Sequence, residues 1–168
     1  EIQDDATGIL MEENDIRYMT GGCYGISFAA PYSRHGLIRS NVLVGGTTFR
    51  WGAGIEVMGR VVVEQNIVYD WQEGIQFNTG YQEYLYGPVL DGATVQNNLL
   101  RNQAAIGIMK VECGDTKNLV IRNNFIENSQ LNGIHCFWDQ TYGALIEGNT
   151  IVRDAGCWPD DSIPYELR

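Results

Sequence analysis

Acidic side chains and one of the two histidines are the residues of this sequence that could carry acid–base chemistry. Glu56 and His135 each follow a Gly-Ile pair, in "GAGIEV" and "NGIHC", and Asp70 and Glu73 precede another such pair in "YDWQEGIQF". Carboxyl and imidazole groups act as general acids and bases, and two carboxyl groups roughly 5 to 9 Å apart can cleave a glycosidic bond. These four residues are therefore candidate catalytic residues. The simpler alternative is that they are solvated side chains without a chemical task.

A second group of side chains could hold a ligand. Three tyrosines lie in the segment 78–92, "NTGYQEYLYGPVLDG". Exposed aromatic rings suit stacking on the apolar face of a sugar ring, although the same tyrosines could instead cover a bare flank of the fold. Arg50 and Trp51, which precede Gly54, could form a wall opposite these tyrosines. The candidate substrate-binding residues are Gln76, Asn78, Tyr81, Tyr84, Tyr86, Arg50 and Trp51.

Metal ligands are sparse in this sequence. Glu112 and Asp115 weakly suggest Ca²⁺, an ion that takes roughly six to eight oxygen ligands. The four cysteines, at positions 23, 113, 136 and 157, show no CxxC spacing, which argues against a zinc site or a redox motif. We expect no cofactor apart from this weak case for Ca²⁺. We also expect reduced thiols, with Cys136 facing the core and one disulfide as the alternative.

These candidate residues are embedded in an internal repeat. Stretches such as "VEQNIVYD" and "IRNNFIEN" align on a shared asparagine, and a Gly-Ile marker follows each of the first five. The asparagines are separated by 27, 25, 32, 26 and 25 residues, and they are Asn14, Asn41, Asn66, Asn98, Asn124 and Asn149. One repeat therefore contains a strand before the asparagine, a strand after it and a Gly-Ile strand.

The repeat is typical of a parallel β-helix. Strands of three to five residues with period-2 alternation fit these segments, whereas neither a helical period nor a heptad does. A leucine-rich repeat would need a leucine consensus that is absent, and a β-sandwich would not explain six aligned asparagines. We predict an all-β, right-handed parallel β-helix of about six coils, with an internal ladder of stacked asparagines.

The chain thereby resembles the right-handed parallel β-helix repeat proteins, the pectate lyase-like superfamily that also includes polygalacturonases, alginate lyases and phage tailspikes. The likeness covers residues 8–156, which are followed by an irregular tail at 157–168. It implies that the Gly-Ile strands form the first sheet, and that the strands before and after the asparagine form the second and third. The asparagines would lie in the turn between those two sheets, so that Asn66 is a structural residue.

The resemblance also implies that substrates lie across the outer face of the first sheet. Alternation directs Ser27, Glu56, Gln76, Met109 and His135 outward on successive coils. Since Glu56 and His135 are three coils apart, they are separated by roughly 14 Å and cannot act as one acid–base pair. A second carboxylate would have to come from a loop, where Asp70 and Glu73 precede the strand and Glu112, Asp115 and Asp139 follow later ones. In coil five, a slip of two residues would replace Met109 with Gly107.

Composition limits the partners of the chain. Its 168 residues, 44% of them hydrophobic, suit one domain over 1–168, and no apolar run reaches the roughly 20 residues of a membrane span. The net charge is −10, and the 11 basic residues are scattered, which argues against nucleic acid. Because a solenoid needs capped ends, we expect a piece of a longer chain or end-to-end stacking with other subunits.

The sequence supports two functions from different classes. The first is a carbohydrate-active β-helix that binds or cleaves an extracellular polysaccharide, as a lyase or a glycoside hydrolase, outside the cell or at its surface. The alternative is a non-catalytic assembly module of a surface fibre, a tailspike or a larger enzyme. Outward carboxylates and aromatic residues favour the first, and exposed ends favour the second.

Overall fold

A computed structural model describes residues 2–3, 7–18, 23–29, 35–46, 52–77, 90–110, 116–136 and 141–153. Every regular element within these ranges is a β-strand, and every strand pair is parallel. The predicted all-β parallel fold is confirmed.

The Gly-Ile strands form five of the six strands of the first sheet, as predicted, and β1 (Ile2–Gln3) is the sixth. Its six strands are paired in the order of the chain. They are β1 (Ile2–Gln3), β4 (Cys23–Ala29), β7 (Gly52–Met58), β10 (Glu73–Phe77), β14 (Ile106–Lys110) and β18 (Asn132–Cys136).

The strands that flank the repeated asparagines form two more six-stranded sheets. The second sheet contains β2 (Leu10–Glu12), β5 (Gly36–Arg39), β8 (Val61–Glu64), β12 (Thr94–Gln96), β16 (Val120–Arg122) and β20 (Leu145–Glu147). The third contains β3 (Asp15–Arg17), β6 (Val42–Val44), β9 (Ile67–Tyr69), β13 (Leu99–Arg101), β17 (Phe125–Glu127) and β21 (Thr150–Val152).

A fourth, short sheet was not predicted. It has three strands of two residues each, and it precedes the second sheet in the later coils. The strands are β11 (Leu90–Asp91), β15 (Thr116–Lys117) and β19 (Thr141–Tyr142). Such short segments carry too little hydrophobic alternation for a sequence pattern to reveal them.

Alternation along each short strand creates the core. In β8 the side chains of Val61 and Val63 are buried whereas those of Val62 and Glu64 are half-buried. The in-register stacking of parallel coils places equivalent side chains above one another, so that Val63 lies between Ile38 and Val95. The result is a continuous column of aliphatic side chains down the axis of the solenoid.

The turn between the second and third sheets has a left-handed residue followed by the repeated asparagine. Gln65, which precedes Asn66, has φ +56°, and the same conformation recurs one residue before each of the other five asparagines. The asparagine side chains stack: Asn41 donates to Asn66 Oδ1 at 2.9 Å, and Asn66 donates to Asn98 Oδ1 at 3.0 Å. The predicted asparagine ladder is therefore present.

The glycine of each Gly-Ile marker lies at a corner where two coils approach closely. A Cβ atom at Gly74 would lie 2.5 Å from the carbonyl oxygen of Gly107, and one at Gly54 would lie 2.3 Å from a methyl carbon of Val68. Because the side chain is excluded there, the first sheet can bend inward and place its isoleucines in the core.

The predicted number of coils was slightly too high for the enclosed part of the molecule. Only the four inner strands of each six-stranded sheet have a neighbour on both sides, so the enclosed solenoid has about four turns. The prediction that Cys136 faces the core was wrong, because Cys136 is exposed. It occupies the register position of the buried Phe77, but β18 is an edge strand of the first sheet.

Candidate functional site

The outer face of the first sheet carries the row of side chains that alternation predicted. The strand register aligns Ser27 with Glu56, Glu56 with Gln76, Gln76 with Met109, and Met109 with His135. Coil five does not slip, because Met109 and not Gly107 continues the row. Glu56 and His135 are three strands apart, which confirms that they do not form one acid–base pair.

Glu56 is buried and not solvated, which corrects the simpler alternative for this residue. Only 4% of Glu56 is exposed, and the hydroxyl group of Ser27 donates a hydrogen bond to Oε2 of Glu56 at 2.5 Å. All residues from Ala53 to Gly59 are buried, so both faces of β7 are covered. Alternation predicts the direction of a side chain correctly here, but it does not predict what packs over that side chain.

Glu73 is the first residue of β10 and does not lie in a loop, which corrects a second expectation. It is aligned with Ala53 of β7 and Ile106 of β14, two buried residues outside the central hydrophobic cluster. Alternation from Ile75 would direct Glu73 inward, but a Cβ atom at the intervening Gly74 would lie 3.2 Å from a methyl carbon of Leu100 in the core. Gly74 therefore faces the core, and the strand bends there so that Glu73 faces outward. Glu73 is 7% exposed, and its Oε2 atom has no hydrogen-bond partner within the described ranges.

Burial raises the pKa of Glu73 from about 4.5 to about 7. The cause is desolvation, because burial removes the water that would stabilise the carboxylate form. Glu73 is thus partly protonated near neutral pH. A group with a pKa near the working pH can both donate and accept a proton efficiently.

Glu56 and Glu73 lie on the same face of neighbouring strands. The register places Ala53, the partner of Glu73, three residues before Glu56. At about 3.3 Å per residue and about 4.8 Å between strands, the two Cα atoms are at most about 11 Å apart. Gln76 lies on the same strand as Glu73 and in register with Glu56, and its buried Oε1 atom has no partner in the described part of the chain. The face thus brings together two buried glutamates and an amide oxygen open to a donor.

A comparison with protein families assigns the fold to a known class. The family model described as "Right handed beta helix region" matches residues 2–151. The chain belongs to this family. No curated protein and no solved structure matches the chain significantly.

Asp70 is placed elsewhere on this right-handed β-helix. It is exposed, with φ +57°, in the turn after the third sheet. The amide of Asn102 donates to Asp70 Oδ1 at 3.2 Å, and the amide of Asn128 donates to Asn102 Oδ1 at 3.4 Å. Asp70 therefore begins a second, exposed ladder of polar side chains, which is a structural role.

Most of the predicted substrate-binding residues lie outside the described residues. They are Asn78, Tyr81, Tyr84, Tyr86, Arg50 and Trp51, and the same holds for the acidic candidates Glu112, Asp115 and Asp139. Gln76 is described, and it is half-buried within the site. Trp71, which could also have lined a site, is 1% exposed and belongs to the hydrophobic core of the β-helix.

The described ranges contain no group of three or more acidic, histidine or cysteine side chains that could hold a metal ion. A search of the same residues for a helix able to cross a membrane finds none.

The placement of two site residues could have been predicted from the sequence repeat. The repeat alignment can be extended by one position before the glycine of each Gly-Ile marker. The added positions are Tyr24, Ala53, Glu73, Ile106 and Asn132, which the structure aligns across the first sheet. That extension would have placed Glu73 on a strand. The hydrogen bond from Ser27 to Glu56 was similarly accessible, because the two residues occupy one outward row.

Proposed function

We propose that the outer face of the first sheet binds an extracellular polysaccharide and cleaves its glycosidic bonds, with Glu73 as the proton donor. The observation that carries this proposal is the buried carboxyl group of Glu73, whose Oε2 atom has no partner among the described residues and whose pKa is about 7, on the same face as a second buried glutamate. Buried groups with displaced pKa values are concentrated at functional sites. The membership in the β-helix family and the resemblance to polysaccharide-cleaving β-helices are consistent with this chemistry.

Glu73 has the property that a general acid needs. Cleavage of a glycosidic bond requires protonation of the leaving oxygen, and a carboxyl group still protonated near neutral pH can supply that proton. Its Oε2 atom is buried and has no hydrogen-bond partner among the described residues, so a ligand oxygen that displaced the covering groups could bind there. Because burial alone raises the pKa, a bound ligand that displaces water would keep the acid form in place.

Glu56 supplies the second carboxyl group in this proposal. The hydrogen bond from Ser27 orients Oε2 of Glu56. A carboxylate in this position could activate water or stabilise the developing positive charge on the sugar. The two glutamates would thus divide the roles of acid and base according to their surroundings.

The rest of the row suits an elongated ligand. From Glu56 to His135 the outward positions extend over three strand spacings, or roughly 14 Å. The half-buried side chains of Gln76, Met109 and His135 follow one another along this line. A polymer can therefore contact the face at several positions, with the buried glutamates at one end of the row.

The proposal can be tested with the wild-type protein and two variants, Glu73→Gln and Glu56→Gln. Each is incubated with neutral and uronate polysaccharides, with and without Ca²⁺, while new reducing ends and the absorbance of unsaturated products are followed. Hydrolysis by Glu73 predicts new reducing ends without unsaturated products, and a loss of at least about a hundredfold in Glu73→Gln. Glu64→Gln, which changes a half-buried glutamate on the second sheet, is the matched control and should retain activity.

Two results would overturn the proposal. One is the absence of both binding and product on every polysaccharide. The other is equal activity in Glu73→Gln and Glu64→Gln. Unsaturated products would instead identify elimination, in which Glu73 would not be the proton donor to a hydrolytic leaving group.

The second candidate function is an assembly module without catalysis. The exposed inward-facing side chains of the last coil favour it, since such side chains are normally covered. An inactive protein that still associates through its ends would support this function.

A further inference from the structure

The last coil exposes side chains that are buried in every earlier enclosed coil. Ile146 is aligned with Ile121, and Ile151 is aligned with Ile126. The two earlier isoleucines are at most 1% exposed, whereas Ile146 is 49% exposed and Ile151 is 55% exposed. The inward-facing side chains of the last described coil are therefore exposed.

The first coil leaves the same inward rows uncovered at the other end of the described solenoid. Met11 and Ile16 occupy the same inward rows as Ile146 and Ile151, and they are only partly buried against the core. A groove at this end is lined by Leu10, Met11, Glu12, Asn14, Ile16, Gly25 and Ile26. The two ends thus present the two ends of one set of inward apolar rows.

The asparagine ladder gives the two ends opposite hydrogen-bonding character. At each step the earlier asparagine donates, from its backbone N and from Nδ2, to Oδ1 of the later one, as Asn124 does to Asn149 at 3.0 and 2.9 Å. Within the described residues, no group donates to Oδ1 of Asn14, and the backbone N–H group of Asn149 has no acceptor. The first rung therefore offers an acceptor and the last rung offers a donor.

We propose that these two ends bind one another between copies of the chain, head to tail, so that the second copy continues the solenoid. Asn149 of one copy would donate to Asn14 of the next, and the rows of inward side chains would continue from Ile146 to Met11 and from Ile151 to Ile16. A second copy is the occupant because the same chain carries both halves of the match. The contact joins two different surfaces along one axis, so it generates open chains of subunits and not a closed dimer.

The outward-facing rows contribute one favourable and one unfavourable contact to this stacking. Leu145 would stack on Leu10, two exposed apolar side chains. Glu147 would meet Glu12, a like-charged pair that opposes stacking, although Arg39 already binds Glu12 at 2.7 Å. The net charge of −10 also opposes association, so added salt should strengthen it.

The first experiment is sedimentation velocity of the 168-residue protein over a range of concentrations. The expected result is a mass average that rises beyond the dimer without a plateau. Ile151→Lys and Ile16→Lys block the last-coil end and the first-coil end, respectively. Each should sediment as a monomer, whereas Phe125→Lys, an exposed apolar position on the flank, should associate like the wild type.

Mixing the two end variants distinguishes the orientations. Ile151→Lys retains a free first-coil end and Ile16→Lys retains a free last-coil end, so an equal mixture should give a one-to-one dimer and nothing larger. Self-association of either variant alone would show contacts between like ends and would overturn the proposal. A wild-type protein that stays monomeric at all concentrations would overturn it as well.

Two further variants keep the test decisive if a lysine at inward-facing position 16 or 151 prevents folding. Leu145→Lys and Leu10→Lys change exposed positions at the same two ends and replace the first pair, with the circular dichroism spectrum confirming the fold of each. Glu147→Gln should strengthen association by about two- to fivefold, because it removes the like-charged contact with Glu12. Unchanged or weaker association in Glu147→Gln would contradict the register proposed for the stack.

Discussion

The asparagine turn and the outer face of the first sheet both bury polar side chains, but the outer face leaves some of them without hydrogen-bond partners among the described residues. Asn66 accepts a hydrogen bond from the side chain of Asn41, the preceding asparagine of the ladder. Its own side chain donates at 3.0 Å to the carbonyl groups of Ile38 and Glu64 and to Oδ1 of Asn98. On the outer face, by contrast, Glu73 leaves a buried oxygen without a partner in the described ranges.

The difference separates structural polar groups from candidate functional ones. A buried amide whose donors and acceptors are all satisfied stabilises a fold and fixes its register. An unsatisfied buried carboxyl group costs stability, so its presence requires an explanation, and binding or proton transfer is one. The same solenoid thus has satisfied buried amides along one edge and, on one face, a buried carboxyl group for which we propose a function.

Substitution of Asn66 should have the largest effect on stability. Asn66→Ala removes the side-chain donor to the carbonyl groups of Ile38 and Glu64 and the side-chain acceptor of the backbone N–H group of Asn41. With a cost of about 1 kcal/mol or more for each of these groups, the free energy of unfolding should fall by about 3 kcal/mol. Urea unfolding measures this loss, and ligand binding should persist wherever the protein remains folded.

Asn14→Ala is the matched control for the ladder. Asn14 is exposed and lies at the end of the described ladder, where its side chain bonds to one neighbouring asparagine, whereas that of Asn66 bonds to two. The loss of the Asn14 side chain should cost about 1 kcal/mol. Equal losses at positions 14 and 66 would mean that burial and stacking do not account for the stability of the turn.

Glu73 should make stability depend on pH. Its pKa is about 7 in the folded protein and about 4.5 as a free side chain. Above about pH 4.5 the unfolded chain releases this proton while the folded protein keeps it, so stability falls as pH rises and levels off above about pH 7. The total loss is about 3 kcal/mol at 1.36 kcal/mol per pKa unit. Glu73→Gln should abolish this dependence, as measured by urea unfolding at pH 5 and pH 8.

The matched control for this effect is again Glu64→Gln. Glu64 accepts a hydrogen bond from Gln96 at 2.6 Å on the second sheet. Its substitution should leave the fall in stability between pH 5 and pH 8 in place. If Glu73→Gln retained the full pH dependence, the contrast between the satisfied turn and the unsatisfied face would lose its main support.

The architecture could be predicted because its determinants are local and repeated. The asparagine at each second-to-third-sheet turn, the Gly-Ile corner and the period-2 strands recur often enough to be aligned without coordinates. Parallel stacking then fixes the neighbours of every residue, which is why the outward row from Ser27 to His135 was predicted correctly. The left-handed residues before the asparagines were missed, since Glu13, Ser40 and Gln65 share no residue type.

The environment of the site could not be predicted in the same way. Alternation states that Glu56 points outward, but burial depends on what packs over the sheet, which no repeat encodes. The pKa of Glu73 depends on that burial alone. Cys136 shows the converse case, because an inward register position is exposed when its strand is at the edge of the sheet.

The smallest predicted effect separates the two residues of the asparagine turn. Gln65 is exposed with φ +56°, a left-handed conformation that costs roughly 1 to 2 kcal/mol for residues other than glycine. Gln65→Gly should therefore stabilise the protein, by about 0.5 kcal/mol after the added entropy of the unfolded chain. The same substitution in a strand, Gln96→Gly, should destabilise it by about 1 kcal/mol, because Gln96 binds Glu64 from an extended backbone. Urea unfolding of both variants measures the difference. If both substitutions changed the free energy of unfolding in the same direction, the left-handed backbone at position 65 would not be a requirement separate from the side-chain stacking at position 66.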